Sequence, residues 1–402
     1  MKILFVASRF PYPPRYGDQV RGFHHLRVLS RRHRIVLVSP CPDSRDGADA
    51  LKAIEPFCEH IKIIPTPVWR RLARLAKIPF SSLPLQTQYL FDARFRDIVL
   101  GLLRDQPFDL MHVQMVRMAP VVEGLAPRIP TVLDLIDALS VNMAQRARRG
   151  LSPQMLVAGW EARRIQAYER KLTRQYDQLV ISSPLDRAAI GDFPNLHVVP
   201  NGVDLEVHPF ITDGWDVATI VFIGTMWYFP NVDAATWFVN YVFPIVRQQV
   251  ADMQLFIVGA RPASAVQRLA HVPGVTVTGY VPSVQEHLSR ATVAIAPMQS
   301  GSGMQFKIIE AMASGVPVVA TPFALGGLEA VDGEHLLIAR NAEDFADALM
   351  RVMKDAQLRY RLTQNARKLV EQKYSWERTV ESLESVYCLA IEKHESSHMS
   401  NG

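Results

Sequence analysis

Short apolar runs recur along the whole chain, and longer stretches with a helical spacing of apolar positions separate them. Apolar runs that alternate with helices are typical of parallel strands joined by crossover helices. The runs occupy residues 2–8, 34–40, 61–65, 108–114, 131–137, 177–183 and 196–202 in the first half of the chain, and 219–224, 253–259, 275–280, 291–298 and 316–321 in the second half. The pattern therefore predicts an α/β protein with two doubly wound parallel sheets.

A turn-rich stretch lies between the two sets of runs. It covers residues 200–214, begins Pro-Asn-Gly and has no sustained periodicity, which favours a linker. We therefore predict a first domain over residues 1–200 and a second over 201–374.

The end of the chain is predicted to be helical. Apolar positions recur with helical spacing over residues 342–370 and again over 375–394. Ser375 precedes the second stretch and is a suitable N-cap, because its hydroxyl can accept a hydrogen bond from a free amide of the first turn.

Length and composition limit the class of protein. The chain has 402 residues, 49% of them hydrophobic, which is enough for two cores. The apolar run after Met1 and Lys2 is too short for a signal peptide, and no later run approaches the ~18 residues that span a bilayer. Cys41, Cys58 and Cys388 are far apart and indicate neither a disulfide framework nor a zinc site. We expect a cytoplasmic protein.

Charge is distributed unevenly. Residues 1–200 contain 29 Lys and Arg against 18 Asp and Glu, whereas the whole chain has a net charge of only +5. A basic half favours an anionic partner such as a membrane surface or a polyprenyl-phosphate-linked acceptor, although a solvated basic face is equally compatible with it. We expect no nucleic acid partner. In the segment 69–80, Trp69, Leu72, Leu75 and Ala76 can share one helical face beside arginines, which predicts weak binding to the inner membrane face.

Two common nucleotide-binding classes lose support. In doubly wound folds, ligands bind in the loops after the strands. The loop after the first run, RFPYPPRYGDQVRG, contains no G-x-G-x-x-G, and the chain contains no Walker A motif. Dinucleotide-dependent oxidoreductases and P-loop NTPases are therefore disfavoured.

The most informative segment is SGSGMQFKIIEAMASGVPVVAT, residues 300–321. Gly301 and Gly303 allow close approach of a ligand to the backbone, and the helix that follows directs free N–H groups at an anion such as a diphosphate. Lys307 would be unfavourable near a helix N-terminus unless an anion is bound there. Glu310, one turn later, can accept hydrogen bonds from both ribose hydroxyls. The alternative is a surface helix with a Lys–Glu pair.

This segment resembles the signature of the family 4 retaining glycosyltransferases, in which EAMA-x-G-x-PVVAT follows two glutamates spaced Glu-x7-Glu. The second glutamate corresponds to Glu310, and Ser302 stands where the family has the first, which contacts the donor sugar. PNGVD at 200–204 is similar to the family's interdomain linker, and YSWERTVESLESVY at 374–387 to its closing helix. The resemblance implies a GT-B fold, with two Rossmann-like domains facing across a cleft and residues 375–402 forming a helix that returns toward the first domain, with a polar tail.

A narrower resemblance is to the exosortase-associated sugar transferases of bacterial polysaccharide gene clusters. It is carried by GDQVRGFHHLRVLSRRHRIVLV at 17–38, LDLIDALS at 133–140, FIGTMWYFPNVDAATWFVNYVFP at 222–244 and GMQFKIIEAMA at 303–313. Most members of the wider family have an Arg and a Lys after the first strand of the second domain. The corresponding loop here, GTMWYFPN, has neither, so Lys307 is the nearest basic candidate.

The resemblance and the positions of the loops together predict the site residues. The donor-binding candidates are Gly17, Arg9, Arg15, Arg21, Gly224, Tyr280, Val281, Ser302, Gly303, Met304, Gln305, Lys307 and Glu310. The catalytic candidates are Lys307, Asp137 and His112. Asp134 and Asp137 end a strand, where a carboxylate could contact the acceptor or could cap a turn. His112 is either a core histidine or a cleft residue, and the family's sugar-contacting histidine aligns better with Gln114.

The resemblance implies transfer of a sugar from a nucleotide-sugar donor to a glycan or polyprenyl-phosphate-linked acceptor, with retention of configuration, in bacterial polysaccharide biosynthesis. The departing phosphate would help to deprotonate the acceptor, and the protein would supply positioning and charge stabilisation. No D-x-D motif stands out, so we expect neither a metal nor another cofactor. The alternatives are a GT-B-fold nucleotide-sugar epimerase and a non-catalytic nucleotide-sugar-binding scaffold.

Overall fold

The computed structural model describes residues 1–42, 47–75, 81–123, 129–147, 153–211, 218–300 and 303–399. The chain divides into two compact units. The first consists of Met1–Pro200 and Thr379–Gly402, and the second of Asn201–Arg378. Each unit contains one parallel sheet with helices around it, as the alternating apolar runs predicted.

The sheet of the first unit has seven strands in the order β3-β2-β1-β4-β5-β6-β7. These strands are β1 Lys2–Val6, β2 Arg34–Pro40, β3 His60–Ile64, β4 Leu110–Gln114, β5 Thr131–Ile136, β6 Gln178–Ile181 and β7 Leu196–Val198. The chain builds outward from β1 to β3 and then returns to place β4 on the other side of β1. The strand order therefore reverses between β1 and β4, which is where such sheets open a crevice for ligands.

Helices connect these strands. They are α1 Gly17–Leu29, α2 Gly47–Ile54, α3 Val68–Leu75, α4 Leu85–Leu90, α5 Arg94–Asp105, α6 Leu139–Ala147, α7 Pro153–Leu172 and α8 Pro184–Ile190. β4 and β5 are buried along their whole length, so the central strands carry continuous apolar runs rather than alternating ones.

The sheet of the second unit has six strands in the order β10-β9-β8-β11-β12-β13, with its reversal between β8 and β11. Its strands are β8 Thr219–Ile223, β9 Gln254–Val258, β10 Val275–Gly279, β11 Val293–Ala296, β12 Val318–Ala320 and β13 Leu337–Ile338. Its helices are α9 Phe229–Trp237, α10 Phe243–Gln249, α11 Ser264–Leu269, α12 Gln285–Arg290, α13 Phe306–Ala313, α14 Ala342–Lys354 and α15 Ala356–Leu369.

The last helix, α16, spans Trp376–Met399 and begins in the second unit, while its residues from Thr379 onward belong to the first. The Ser375 hydroxyl accepts a hydrogen bond from the Arg378 amide at 3.3 Å, as expected of its N-cap.

The prediction of a single helix over 342–370 was wrong. It is broken at Asp355, whose carboxylate caps α15 by accepting from Leu358 N at 2.9 Å.

None of the helices in the described ranges combines the length and the apolar character that crossing a bilayer requires. The helical segment predicted to bind a membrane is described only as far as Leu75, so Ala76 and the rest of 76–80 lie outside the described residues.

Candidate active site

The carboxyl end of β8 lies at the strand-order reversal of the second unit, and two glycines shape it. Gly259, which follows β9, has φ +157°, and a Cβ added to it would lie 1.7 Å from the carbonyl oxygen of Gly224. A Cβ on Gly224 would lie 2.7 Å from Nδ2 of Asn231. The backbone after β8 can therefore pack closely against its neighbours, with Asn231 held over it by a bond from Nδ2 to the Thr225 carbonyl at 3.1 Å.

Lys307 reaches this point from the first turn of α13. Its Nζ donates to Oδ1 of Asn231 at 3.0 Å and to Oε1 of Gln305 at 2.9 Å. It also lies 3.6 Å from the Met298 sulfur and 5.5 Å from the centroid of the Phe222 ring. These contacts bring Gly224, Gln305 and Lys307 of the predicted donor site together.

The ammonium group of Lys307 has neutral hydrogen-bond partners. Within the described part of the chain these partners are amides and a thioether, and no carboxylate forms an ion pair with the ammonium. Burial lowers the pKa of Lys307 to about 8, although the nearby Glu310 acts in the opposite direction. A half-buried cation beside uncharged acceptors and the N-terminus of a helix favours the binding of an anion.

Glu310 lies one turn further along α13. Burial raises the pKa of its carboxyl group, and the charges of His208 and Lys307 oppose that rise. His208 belongs to a hydrogen-bonded group in which its Nδ1 lies 2.9 Å from Oε1 of Gln285 and 3.2 Å from Oγ of Ser314. The amide Nε2 of Gln285 is buried without a hydrogen-bond partner in the described residues.

The glycine-rich turn before α13 packs closely against the backbone at Gly326. Gly303 has φ +75°, and a Cβ on Gly326, which has φ +58°, would lie 2.2 Å from the Gly303 carbonyl oxygen. Met304 is buried, whereas Ser302 lies outside the described residues.

Tyr280 and Val281 follow β10. Tyr280 is 76% exposed, so its side chain is accessible to a ligand. Asn231, His208 and Gln285 were not predicted. Asn231 could have been noticed, because it is the polar residue at the end of the loop after β8.

In the first unit, Gly17 begins α1 and Asp18 lies in the first helical turn. Nε of Arg9 lies 3.3 Å from Oδ2 of Asp18, and the Arg9 guanidinium stacks 4.6 Å from the Tyr16 ring centroid. Arg15 lies in the same loop, where its amide donates to the Pro13 carbonyl at 2.8 Å.

Arg21 and Asp134 form a fully buried ion pair with an Nε–Oδ2 distance of 2.6 Å. The other guanidinium nitrogens of Arg21 donate to the carbonyls of Val199 at 3.0 Å and Pro200 at 3.1 Å. These protein partners hold Arg21 inside the unit in this conformation, and its contact with a donor stays a prediction.

Asp134 also shapes the end of β5. Its Oδ1 accepts from the amide of Ile136, which has φ +67°, a left-handed conformation that a β-branched residue rarely adopts. The next residue, Asp137, accepts from the Ser182 hydroxyl at 3.0 Å, and burial raises the pKa of its carboxyl group. Strain of this kind is often found where a side chain is directed toward a ligand.

His112 is enclosed on β4. Its ring stacks on Phe5 with centroids 4.4 Å apart, and Nδ1 lies 2.9 Å from the Tyr387 hydroxyl of α16. Burial lowers the pKa of His112 to about 4, so the ring is neutral at physiological pH. Its catalytic role stays a prediction, and Nε2 has no hydrogen-bond partner in the described ranges.

Three side chains that can bind a metal ion have their ligand atoms within 4.8 Å of one another, namely His25, His112 and Asp134. The Asp134 carboxylate already forms an ion pair with Arg21, and the positive charge of that guanidinium disfavours a metal cation at this point.

The chain is similar to known proteins in sequence and in fold. Residues 217–355 match the family model described as Glycosyl transferases group 1. The chain is 22% identical over 400 residues to a Klebsiella pneumoniae protein described as an uncharacterized 44.6 kDa protein in cps region, covering 95% of this chain and 98% of that one.

Two solved structures are similar in fold. Sucrose-phosphate synthase from Thermosynechococcus elongatus has a TM-score of 0.70 at 18% identity, covering 96% of this chain and 98% of that one. Anabaena HepE, in complex with UDP and glucose, has a TM-score of 0.62 at 15% identity, covering 96% of this chain and 98% of HepE. The chain therefore has the two-domain α/β fold of the GT-B glycosyltransferases, and the match to the group 1 family model lies within its second unit.

Proposed function

We propose that this protein is a retaining glycosyltransferase that moves a sugar from a nucleotide-sugar donor to a glycan or lipid-linked acceptor in bacterial polysaccharide synthesis. The observation that carries the proposal is Lys307, a half-buried ammonium with neutral hydrogen-bond partners at the N-terminus of α13 and at the strand-order reversal. A donor diphosphate would supply the missing negative charge. HepE supports this assignment because it was solved with UDP and glucose, and the Klebsiella protein supports the polysaccharide context.

The proposed roles follow from the charges in the site. Lys307 and the amides of α13 stabilise the leaving diphosphate as the bond between the sugar and its phosphate breaks, while Glu310 accepts from the ribose hydroxyls. The acceptor oxygen bonds to the same face of the sugar carbon, and its proton moves to a phosphate oxygen of the leaving group. Asp137 in the first unit contacts the acceptor hydroxyl. Since Lys307 neutralises the leaving group, the transfer needs no metal, and EDTA should leave the rate unchanged.

A donor screen followed by product analysis tests the proposal. UDP-, GDP- and ADP-sugars are screened by thermal shift, and those that bind are incubated with lipid-linked oligosaccharide extracts. A transferase releases free nucleotide only when acceptor is present. Conversion of the donor sugar without acceptor would identify an epimerase, and binding without turnover would identify a scaffold. Lys307→Ala should bind the donor more weakly and should also lose about 10²- to 10³-fold in kcat, because the lost contact strengthens further toward the transition state.

We also propose weak binding to anionic membranes through two helices of the first unit. Six large apolar side chains on these helices are between 48% and 64% exposed, namely Val68, Trp69 and Leu72 of α3 and Leu156, Val157 and Trp160 of α7. Arginines accompany the indoles, with Arg70 5.0 Å from the Trp69 ring and Arg164 4.4 Å from the Trp160 ring. Indoles beside cations favour the headgroup region of a bilayer.

Both helices pack around α4. Arg74 of α3 donates to the carbonyl of Phe91 at 2.5 Å, directly after α4, and Glu161 of α7 accepts from the Gln86 amide at 3.2 Å. Hydrogen bonds therefore link both α3 and α7 to the α4 segment, which supports a joint role for their exposed apolar residues.

A further inference from the structure

The strand-order reversal of the first unit carries an unbalanced positive charge. Arg9 and Asp18 follow β1, and Arg117 follows β4 in the short 3₁₀ helix Val116–Val121. Since β1 and β4 are neighbours on either side of the reversal, these three residues lie at the same edge of the sheet. Arg9 pairs with Asp18 there, whereas Arg117 forms no ion pair with a carboxylate of the described residues.

The negative charge of Asp18 is already in use. Its carboxylate lies 3.3 Å from Nε of Arg9 and accepts from the Ser8 hydroxyl at 3.4 Å, and it lies in the first turn of α1, where it offsets the helix dipole. A single carboxylate therefore cannot balance the positive charges of both Arg9 and Arg117.

Arg117 lacks a partner of its own. Its guanidinium makes no hydrogen bond to any described residue, and its Nε is shielded from solvent. Burial lowers the pKa of Arg117, Asp18 acts against that shift, and Arg9 reinforces it. Buried donors are normally satisfied, and an arginine left without an acceptor is unfavourable unless a ligand or solvent supplies one.

Arg9 can reach the same ligand. Only its Nε is engaged by Asp18, and its side chain is 41% exposed. The planar fork of an arginine matches phosphate and carboxylate oxygens, so two arginines at the same edge of the sheet are suited to a single oxyanion.

We infer that Arg117, together with Arg9, binds an oxyanion, a phosphate or carboxylate group of a substrate, at the strand-order reversal of the first unit. The inference deepens the proposed function and rests on it only for the source of the oxyanion, which is either the acceptor or the donor diphosphate. Oxyanion binding itself requires no turnover.

Inorganic phosphate is the probe. Equilibrium dialysis of the full chain at constant ionic strength is carried out in a Lys307→Ala background, which removes the anion site proposed for the second unit. This protein should still bind phosphate. Adding Arg117→Met should weaken that binding by about ten- to hundredfold, Arg117→Lys by less, and Arg104→Ala, an exposed control on α5, not at all. Absence of phosphate binding in Lys307→Ala, or equal binding after Arg117→Met, would overturn the inference.

Thermal stability separates ligand binding from a structural role. Replacing an arginine without a partner by Met should leave the Tm unchanged or raise it, because no stabilising contact is lost. A clear fall in the Tm of Arg117→Met would mean that the guanidinium stabilises the fold, and the inference would fail.

Nucleotide binding then identifies the source. If Arg117→Met weakens binding of a nucleoside diphosphate as Lys307→Ala does, the oxyanion is the donor diphosphate. If nucleotide affinity is unchanged and KM rises for an acceptor that carries phosphate, the oxyanion belongs to the acceptor. Either result supports the site, and failure of the donor screen would leave the phosphate measurement intact.

Discussion

At the scale of single residues, the ionisation of Lys307 should make nucleotide binding depend on pH. A bound diphosphate requires the charged amine, whose pKa burial has lowered to about 8. Above that pH the free protein must take up a proton to bind, so the affinity for a nucleoside diphosphate should fall by about tenfold per pH unit. Calorimetry between pH 7 and 10 measures this affinity. Lys307→Arg, which remains charged, should show no such decline, and a flat wild-type profile would contradict the assignment.

Glu310 should determine recognition of the ribose. Glu310→Ala removes two charge-assisted hydrogen bonds and should weaken binding of a nucleoside diphosphate by about tenfold or more. The matched ligand is the 2′,3′-dideoxy nucleotide, which lacks both hydroxyls and should bind wild type and variant with similar affinity. Calorimetry on the four combinations of protein and nucleotide measures the coupling between Glu310 and the ribose hydroxyls. An equal loss for both ligands would show that Glu310 acts elsewhere.

The sequence located some of these residues and not others, for a physical reason. Lys307, Gln305 and Glu310 belong to one local motif, so their positions follow from helix geometry. Asn231, which accepts from Lys307, is 76 residues away in the chain. Arg21 was predicted to face the donor, yet its partner Asp134 is 113 residues away, and only the folded sheet brings them together.

At the scale of elements, α7 provides a pH-sensitive contact to α6. Glu169 of α7 is buried and accepts from the Ser140 amide at 3.2 Å and from its hydroxyl at 2.5 Å. Burial raises the pKa of Glu169 to about 7, above its value of roughly 4.3 in the unfolded chain. The folded state therefore binds the proton more tightly than the unfolded chain. The protonated group stabilises the fold fully below pH ~4.3, and this contribution is lost as the pH rises to about 7.

Glu169→Gln should remove this dependence, because the amide stays neutral. The free energy of unfolding of the variant relative to wild type should increase from pH 5 to pH 8, by no more than about 3 kcal/mol. Urea titrations at several pH values measure the difference. A constant difference would mean that Glu169 does not titrate in this range.

The exposed indoles of α3 and α7 should determine vesicle binding. Trp69→Ser and Trp160→Ser should each reduce flotation with anionic liposomes, and the double variant should abolish it, because each removes an apolar anchor at the headgroup level. High salt should weaken binding of the wild type. Tyr360→Ser, at a 65% exposed position on α15 in the second unit, is the control. Recovery that does not depend on lipid would contradict the proposal.

Most strands were predictable, and the exceptions are instructive. The apolar runs correspond to β1 to β12, because buried parallel strands need continuous apolar sequence. β13 was missed because it has only two residues, Leu337 and Ile338. The break at Asp355 was missed because helical periodicity continues across it, although the local cap interrupts the helix.

At the scale of the whole molecule, the first unit depends on the end of the chain. Helix α16 has three fully buried side chains, those of Leu383, Tyr387 and Ala390. In addition, Oε1 of Glu384 lies 2.7 Å from Nε2 of His33. A chain that ends at Arg378 would lose these contacts and leave the buried His112 without the Tyr387 hydroxyl. Removing several buried side chains costs about 2–5 kcal/mol each.

Truncation after Arg378 should therefore destabilise the first unit selectively. In calorimetry the transition of the first unit should shift to much lower temperature or disappear, while the transition that a nucleotide stabilises, that of the second unit, should stay in place. A matched chain that ends after Lys393 keeps the buried residues and should resemble the full protein. Equal shifts of both transitions would show that the second unit also depends on α16.

The two-sheet architecture followed from the sequence pattern, and the GT-B fold from the resemblance of its motifs. What the pattern could not supply is the charge balance at the reversal of the first sheet, where Arg117 stands beside Asp18 and Arg9. That balance depends on neighbours from two separate loops.

The close backbone approaches in the second unit limit how its donor preference can be changed by laboratory evolution. Because a side chain at Gly259 would collide with Gly224, and one at Gly326 with Gly303, a library that randomises these positions would consist mainly of misfolded members. The exposed aromatic residues Trp227 and Tyr280 carry no such restriction. A library that fixes the four glycines and diversifies those two aromatics would keep the scaffold intact and concentrate its variation on the solvent-facing loops after β8 and β10.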